Sequence, residues 1–130
     1  MQSAHRRTIA AAVTPLRGDA DSQVIDGDAI RSLSGFYATH DVDGVLVLGT
    51  TGEGVLLTVA ERKAVAALYC EAADSLPVLV HCGAQATRDT CELAAHAASS
   101  GAAGVAVIAP PYFALDDDSL LLHLQRAAAA

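Results

Sequence analysis

Short apolar runs and longer stretches with helical spacing alternate along the chain, giving four strand-helix pairs. The first strand is predicted over Thr8 to Thr14, closed by Pro15 and the polar turn LRGDADSQ. A helix follows from an Asp26 cap to near His40, with Ile30, Leu33 and Tyr37 forming its buried stripe. The second strand, GVLVLG, is apolar at every position from Val45 to Leu48, which suits a parallel strand covered on both faces.

The second helix opens on Thr58-Val59-Ala60-Glu61, whose first and last side chains have capping-box spacing, and it ends near Asp74. The third strand is PVLVHCG, with Pro77 in the first position, where a missing N–H costs the ladder least. The third helix runs from Thr87 to a terminating Gly101. The fourth strand, GVAVIAP, stops at Pro110 and Pro111. The last helix starts near Asp116, with Leu120, Leu121 and Leu124 expected to face inward.

Parallel strands joined by helices form either an open doubly wound sheet or a closed barrel, and both place ligands beyond the carboxyl ends of the strands. Those ends are Thr14-Pro15, Gly49-Thr50-Thr51, His81-Cys82-Gly83 and Ala109 to Tyr112. Strand alternation does not account for polar and turn residues gathering at these places, whereas one shared site does.

Composition and charge narrow the chemistry. The chain has 130 residues, 52% of them apolar and 4% aromatic, as expected of one domain with an Ala-, Val- and Leu-rich core. Its formal charge is −7 and its eight basic residues are scattered, so no nucleic-acid partner is expected. No apolar run approaches the roughly 20 residues of a membrane span, and Met1 to Arg7 has no signal-peptide pattern. A cytoplasmic setting is therefore expected. Cys70, Cys82 and Cys91 lack paired spacing, in keeping with reduced thiols.

The loop GTTGEG has two readings. Glycines that let amides approach an anion, with two hydroxyls, can hold a small carboxylate; alternatively the loop is a glycine turn whose threonines bond their own backbone. It lacks the spacing of either common nucleotide motif, and no lysine follows closely. Glu53 could bond the loop's own amides and hold its shape, or act as a general base.

His81, Cys82, Cys91 and His96 are spaced H-C-x8-C-x4-H, unlike the usual zinc frameworks. No metal and no cofactor are expected. The only lysine, Lys63, is predicted on a solvated helix face, without the desolvation that an imine-forming amine needs.

Four blocks in order, AAVTPL, GTTGEGVLLT followed by ERKAV, LPVLVHCGAQAT and GVAVIAPPYF, resemble the dihydrodipicolinate synthase and N-acetylneuraminate lyase family. The resemblance implies an α/β fold, the first four strand-helix units of a (β/α)8 TIM barrel, with residues 1–130 as the amino-terminal half of a single lyase domain. It implies a Schiff-base-forming keto-acid lyase or aldolase acting on a 2-keto acid such as pyruvate, usually as a homo-oligomer. Gly49, Thr50 and Thr51 would form the substrate-binding loop, with Thr51 holding the carboxylate and Thr50 in a proton relay.

The family's second relay tyrosine aligns with Phe113, which has no proton to pass, and leaves Tyr112 as the candidate if the loop shifts by a residue. The Schiff-base lysine belongs to a sixth strand that this chain does not contain, so the chain alone is expected to be inactive. About 250 residues are typical of a complete barrel. A half-barrel should present unpaired edges and exposed apolar faces, favouring dimerisation, aggregation or partial unfolding. The alternative function is a non-catalytic carboxylate-binding or partner-dependent half-barrel.

Overall fold

A computed structural model describes residues 7–130. Its main sheet has four parallel strands in the order β1 (Ile9–Ala11), β4 (Gly44–Val47), β5 (Val78–His81) and β6 (Gly104–Ala106). A second, antiparallel pair, β2 (Leu16–Arg17) with β3 (Val24–Ile25), lies between β1 and the first helix. The helices are α1 (Gly27–Ala38), α2 (Val59–Ala72), α3 (Thr87–Ser99) and α4 (Asp117–Ala128). Consecutive helices pack on one another, and β1 and β6 form the sheet's two edges.

Local chemistry accounts for most boundaries. The Asp26 carboxylate accepts from Ala29 N–H at 3.0 Å to start α1. At α2, Glu61 N–H donates to Thr58 Oγ1 at 3.2 Å while Thr58 N–H donates to Glu61 Oε2 at 2.8 Å, completing the capping box. Gly101, at φ +85°, takes the left-handed conformation just past α3. Asp116 accepts from Ser119 N–H at 2.8 Å and begins α4.

The first strand is shorter than the Thr8 to Thr14 expectation because its last residues serve other contacts. Val13 O accepts from the Tyr69 hydroxyl at 2.6 Å, and the buried Thr14 hydroxyl donates to Gly52 O at 2.6 Å. The LRGDADSQ segment is a small hairpin rather than a plain turn. Gly18 sits at φ +107°, where an added Cβ would lie 2.5 Å from Ser22 O.

The two faces of the sheet are unequal. Val45, Val47, Val78 and Val80 are buried beneath the helices with Ile30, Val65, Ala66, Tyr69 and Leu93. Leu46 and Leu79, in register with one another on the opposite face, are only half-buried, so the second strand is not covered equally on both sides. The inward stripe predicted for the last helix holds only in part: Leu120 is half-buried, Leu121 and Leu124 are exposed, and His123 and Ala127 are the buried side chains. A helix covered along only one narrow line leaves Leu121, Leu122 and Leu124 to solvent.

Candidate active site

The carboxyl ends of β4, β5 and β6 converge on a cavity of about 580 Å³ whose wall includes Gly49, Thr50, Glu53, Arg62, His81 and Gln85. Thr51 and Tyr112 lie outside that wall. Of the predicted site residues, Gly49 and Thr50 therefore share the cavity, while Thr51 and Tyr112 are exposed beyond it.

Two close backbone approaches shape the GTTGEG loop. A Cβ on Gly54 would stand 2.1 Å from Leu48 O, and one on Gly52 would stand 2.8 Å from Leu48 N and 3.0 Å from Ala12 O. Only glycine fits either place. Leu48 and Glu53 both adopt left-handed φ, at 62° and 52°, so the turn holds two non-glycine residues in a sparsely populated conformation. Glu53 N–H donates to Thr50 O at 3.1 Å and Gly54 N–H to Gly49 O at 3.3 Å. The Thr14 hydroxyl ties the loop to the end of the first strand.

This distributes the loop's polar groups in a specific way. Among the described residues, the hydroxyls and backbone amides of Thr50 and Thr51 make no hydrogen bond as donors, so the threonines do not bond their own backbone. The Glu53 side chain does not bond the loop amides either; its backbone and the Thr14 hydroxyl hold the shape instead.

Arg62 is a wall residue that sequence reasoning missed. It is 4% exposed, and its guanidinium donates to His81 O at 2.8 Å and Gly83 O at 3.1 Å, while Nε is buried without a partner among the described residues. Burial lowers the pKa of its guanidinium. A signal was present: Arg62 shares the stripe of Val65, Ala66 and Tyr69, at positions i, i+3, i+4 and i+7.

Burial first, and the nearby Arg62 charge second, hold His81 below the usual histidine range, so its ring is neutral at neutral pH. Cys82 is fully buried, and burial pushes its thiol up to about 11. His81, Cys82, Cys91 and His96 are not gathered: among the described residues, no group of three or more His, Cys, Asp or Glu side chains could hold a metal ion. Lys63 pairs with Glu92 across α2 and α3, outside the cavity wall.

The loops after β5 and β6 are also joined. Gln85 Oε1 accepts from Tyr112 N–H at 2.8 Å, and the Tyr112 and Phe113 rings meet edge to face at 4.9 Å. Among the described residues, no helix is long and apolar enough to cross a membrane.

A parallel strand-helix array with its cavity at the strands' carboxyl ends defines a (β/α)-barrel type of protein, of which these are the first four units. The sequence profile of the dihydrodipicolinate synthetase family matches residues 4–130, and the chain belongs to that family.

It is 42% identical over 113 residues to an uncharacterised DapA-like lyase of Halobacterium salinarum, covering 86% of this chain and 37% of that protein. It is 38% identical over 130 residues to the N-acetylneuraminate lyase of Danio rerio, covering 94% of this chain and 40% of that enzyme. Among solved structures, YagE, a prophage protein of the dihydrodipicolinic acid synthase family from E. coli K12 in complex with pyruvate, superposes with a TM-score of 0.88 at 30% identity. That match covers 98% of this chain and 42% of YagE. The chain thus spans roughly two fifths of the length of these relatives.

Proposed function

We propose that this chain carries the carboxylate-binding part of a Schiff-base-forming 2-keto-acid lyase or aldolase, with pyruvate as the representative substrate. The observation that carries the reading is the set of unspent donors on a rigid loop: the hydroxyls and amides of Thr50 and Thr51, at a turn fixed by Gly52, Gly54 and Thr14. A carboxylate presents two acceptor oxygens and needs such a set, and a preorganised loop provides it without reordering cost. Family membership and a pyruvate-bound relative support the same ligand class.

In this reading Thr51 holds the carboxylate, Gly49 lines the cavity beside it, and Thr50 stands in the proton relay from the cavity wall. Tyr112 is the remaining phenol near the site and Phe113 beside it cannot pass a proton, so the acceptor or donor substrate differs from one that needs a tyrosine there. Among the described residues, no side-chain amine suits imine formation. Lys63 is ion-paired on the helical exterior, and its amine is engaged by Glu92.

Two measurements test the proposal. Pyruvate titrated into the ¹⁵N-labelled chain is expected to shift the Thr50 and Thr51 amide resonances, and Thr51→Ala is expected to weaken that response about tenfold. Pyruvate that moves neither resonance would remove the reading. Borohydride reduction in the presence of pyruvate is expected to leave this chain unmodified, whereas a stoichiometric adduct on Lys63 would overturn the assignment of that lysine.

A second reading, a partner-dependent half-barrel acting as a cytoplasmic homo-oligomer or with another chain, is favoured by one observation. Both edges of the main sheet, β1 and β6, are unpaired among the described residues.

A further inference from the structure

The segment that carries Tyr112 and Phe113 has little of its own to hold it in place. Among the described residues, the backbone from Ile108 to Leu115 makes two hydrogen bonds, and both go to one atom: Gln85 Oε1 accepts from Tyr112 N–H at 2.8 Å and from Phe113 N–H at 3.4 Å. Pro110 is buried and anchors one end, while Tyr112 is 80% and Phe113 64% exposed.

Gln85 stands on a firmer base. Arg62 grips the carbonyls of His81 and Gly83 from α2, and Thr90 Oγ1 on α3 accepts from Ala84 N–H at 3.1 Å. Thr90 is fully buried, so two helices fix the four residues before Gln85. Gln85 also lines the cavity with Thr50.

We propose that Gln85 is a positioning residue: its amide oxygen, carried on a loop clamped by Arg62 and Thr90, sets where the Tyr112-Phe113 pair stands at the mouth of the site. One oxygen with two lone pairs can accept from two successive amides, which an apolar side chain of the same length cannot do. The proposal rests on the keto-acid reading only in treating Tyr112 as a site residue.

Amide exchange in the full chain tests it without any ligand. Gln85→Met keeps the side-chain length and removes the acceptor, and it is expected to speed exchange at Tyr112 and Phe113 about fivefold, the equivalent of one ordinary hydrogen bond, while Val47 in the sheet is unchanged. Gln85→Glu restores an acceptor and is expected to return both amides to slow exchange. Unchanged exchange in Gln85→Met, equal loss in Gln85→Glu, or faster exchange at Val47 as well would each overturn the proposal. Pyruvate-induced shifts at Thr50 and Thr51 are read in the same samples. Their absence would remove the keto-acid reading and leave the exchange result to decide the role of Gln85.

Discussion

On the helix-covered face of the sheet Val45, Val47, Val78 and Val80 are 1%, 0%, 4% and 2% exposed, whereas Ile9 on the opposite face is 40% exposed and Leu46 and Leu79 are half-buried. The residues are of the same chemical kind, so hydropathy does not separate them. What separates them is whether helices pack above. The covered face holds the fold together; the open face leads at its carboxyl end to His81 and the cavity, where shape and hydrogen bonding matter more than burial.

The largest effect should come from placing a charge on each face. Val47→Asp puts a carboxylate into the buried cluster that holds Ile30, Val65 and Tyr69, and it is expected to cost more than about 4 kcal/mol and leave the chain unfolded. Ile9→Asp is expected to change stability by less than about 1 kcal/mol, because water still reaches that side chain. Urea unfolding followed by circular dichroism measures both. Equal losses would mean that the open face is covered in solution, by a second copy or another partner.

Next in size is the loop that joins the faces. Gly54→Ala forces a Cβ against Leu48 O, and since both atoms belong to the backbone or are fixed to it, relief requires the turn to move. A loss of about 3 kcal/mol is expected, accompanied by shifts of the Thr50 and Thr51 amides. Gly35→Ala, at a helix position where nothing lies within 4 Å of the added Cβ, should instead be neutral or stabilising by about 0.5 kcal/mol. If the two alanine variants matched, the loop would be softer than its contacts imply.

Much of this was legible in the sequence, for identifiable reasons. Capping signals such as Asp26, Thr58 with Glu61, and Asp116 act within one helical turn, so spacing alone locates them. The apolar runs located the strands. The hairpin around Gly18 was hidden because a pair of two-residue strands leaves no periodicity to read. Arg62 was overlooked because an arginine is ordinarily solvated: its place on the inward stripe was legible, but the carbonyls 19 and 21 residues away that satisfy its guanidinium were not. Gln85 was hidden for a similar reason, with its acceptor role depending on amides 27 and 28 residues further along the chain.

The smallest effect expected is also the one that joins the two faces, since His81 points from the open side while its backbone is held by Arg62 from the covered side. The folded chain holds the His81 imidazole below its ordinary value, mainly by burial and then by the Arg62 charge. Glu53 and Asp89 are the carboxylates that share the cavity wall with it. Between the lowered value and about 6.5, the unfolded chain therefore binds more protons than the folded one. The stabilisation from a neutral His81 is complete above that ordinary value and is lost as pH falls through the window below it. Urea midpoints measured from pH 7.5 to 5.5 should decline, and the His81→Gln variant should decline less. Arg62→Met should raise the His81 titration midpoint in an NMR titration, whereas Arg62→Lys should hold it down. A midpoint that ignores both changes would mean that burial alone sets the histidine and that the covered face does not reach the site through charge.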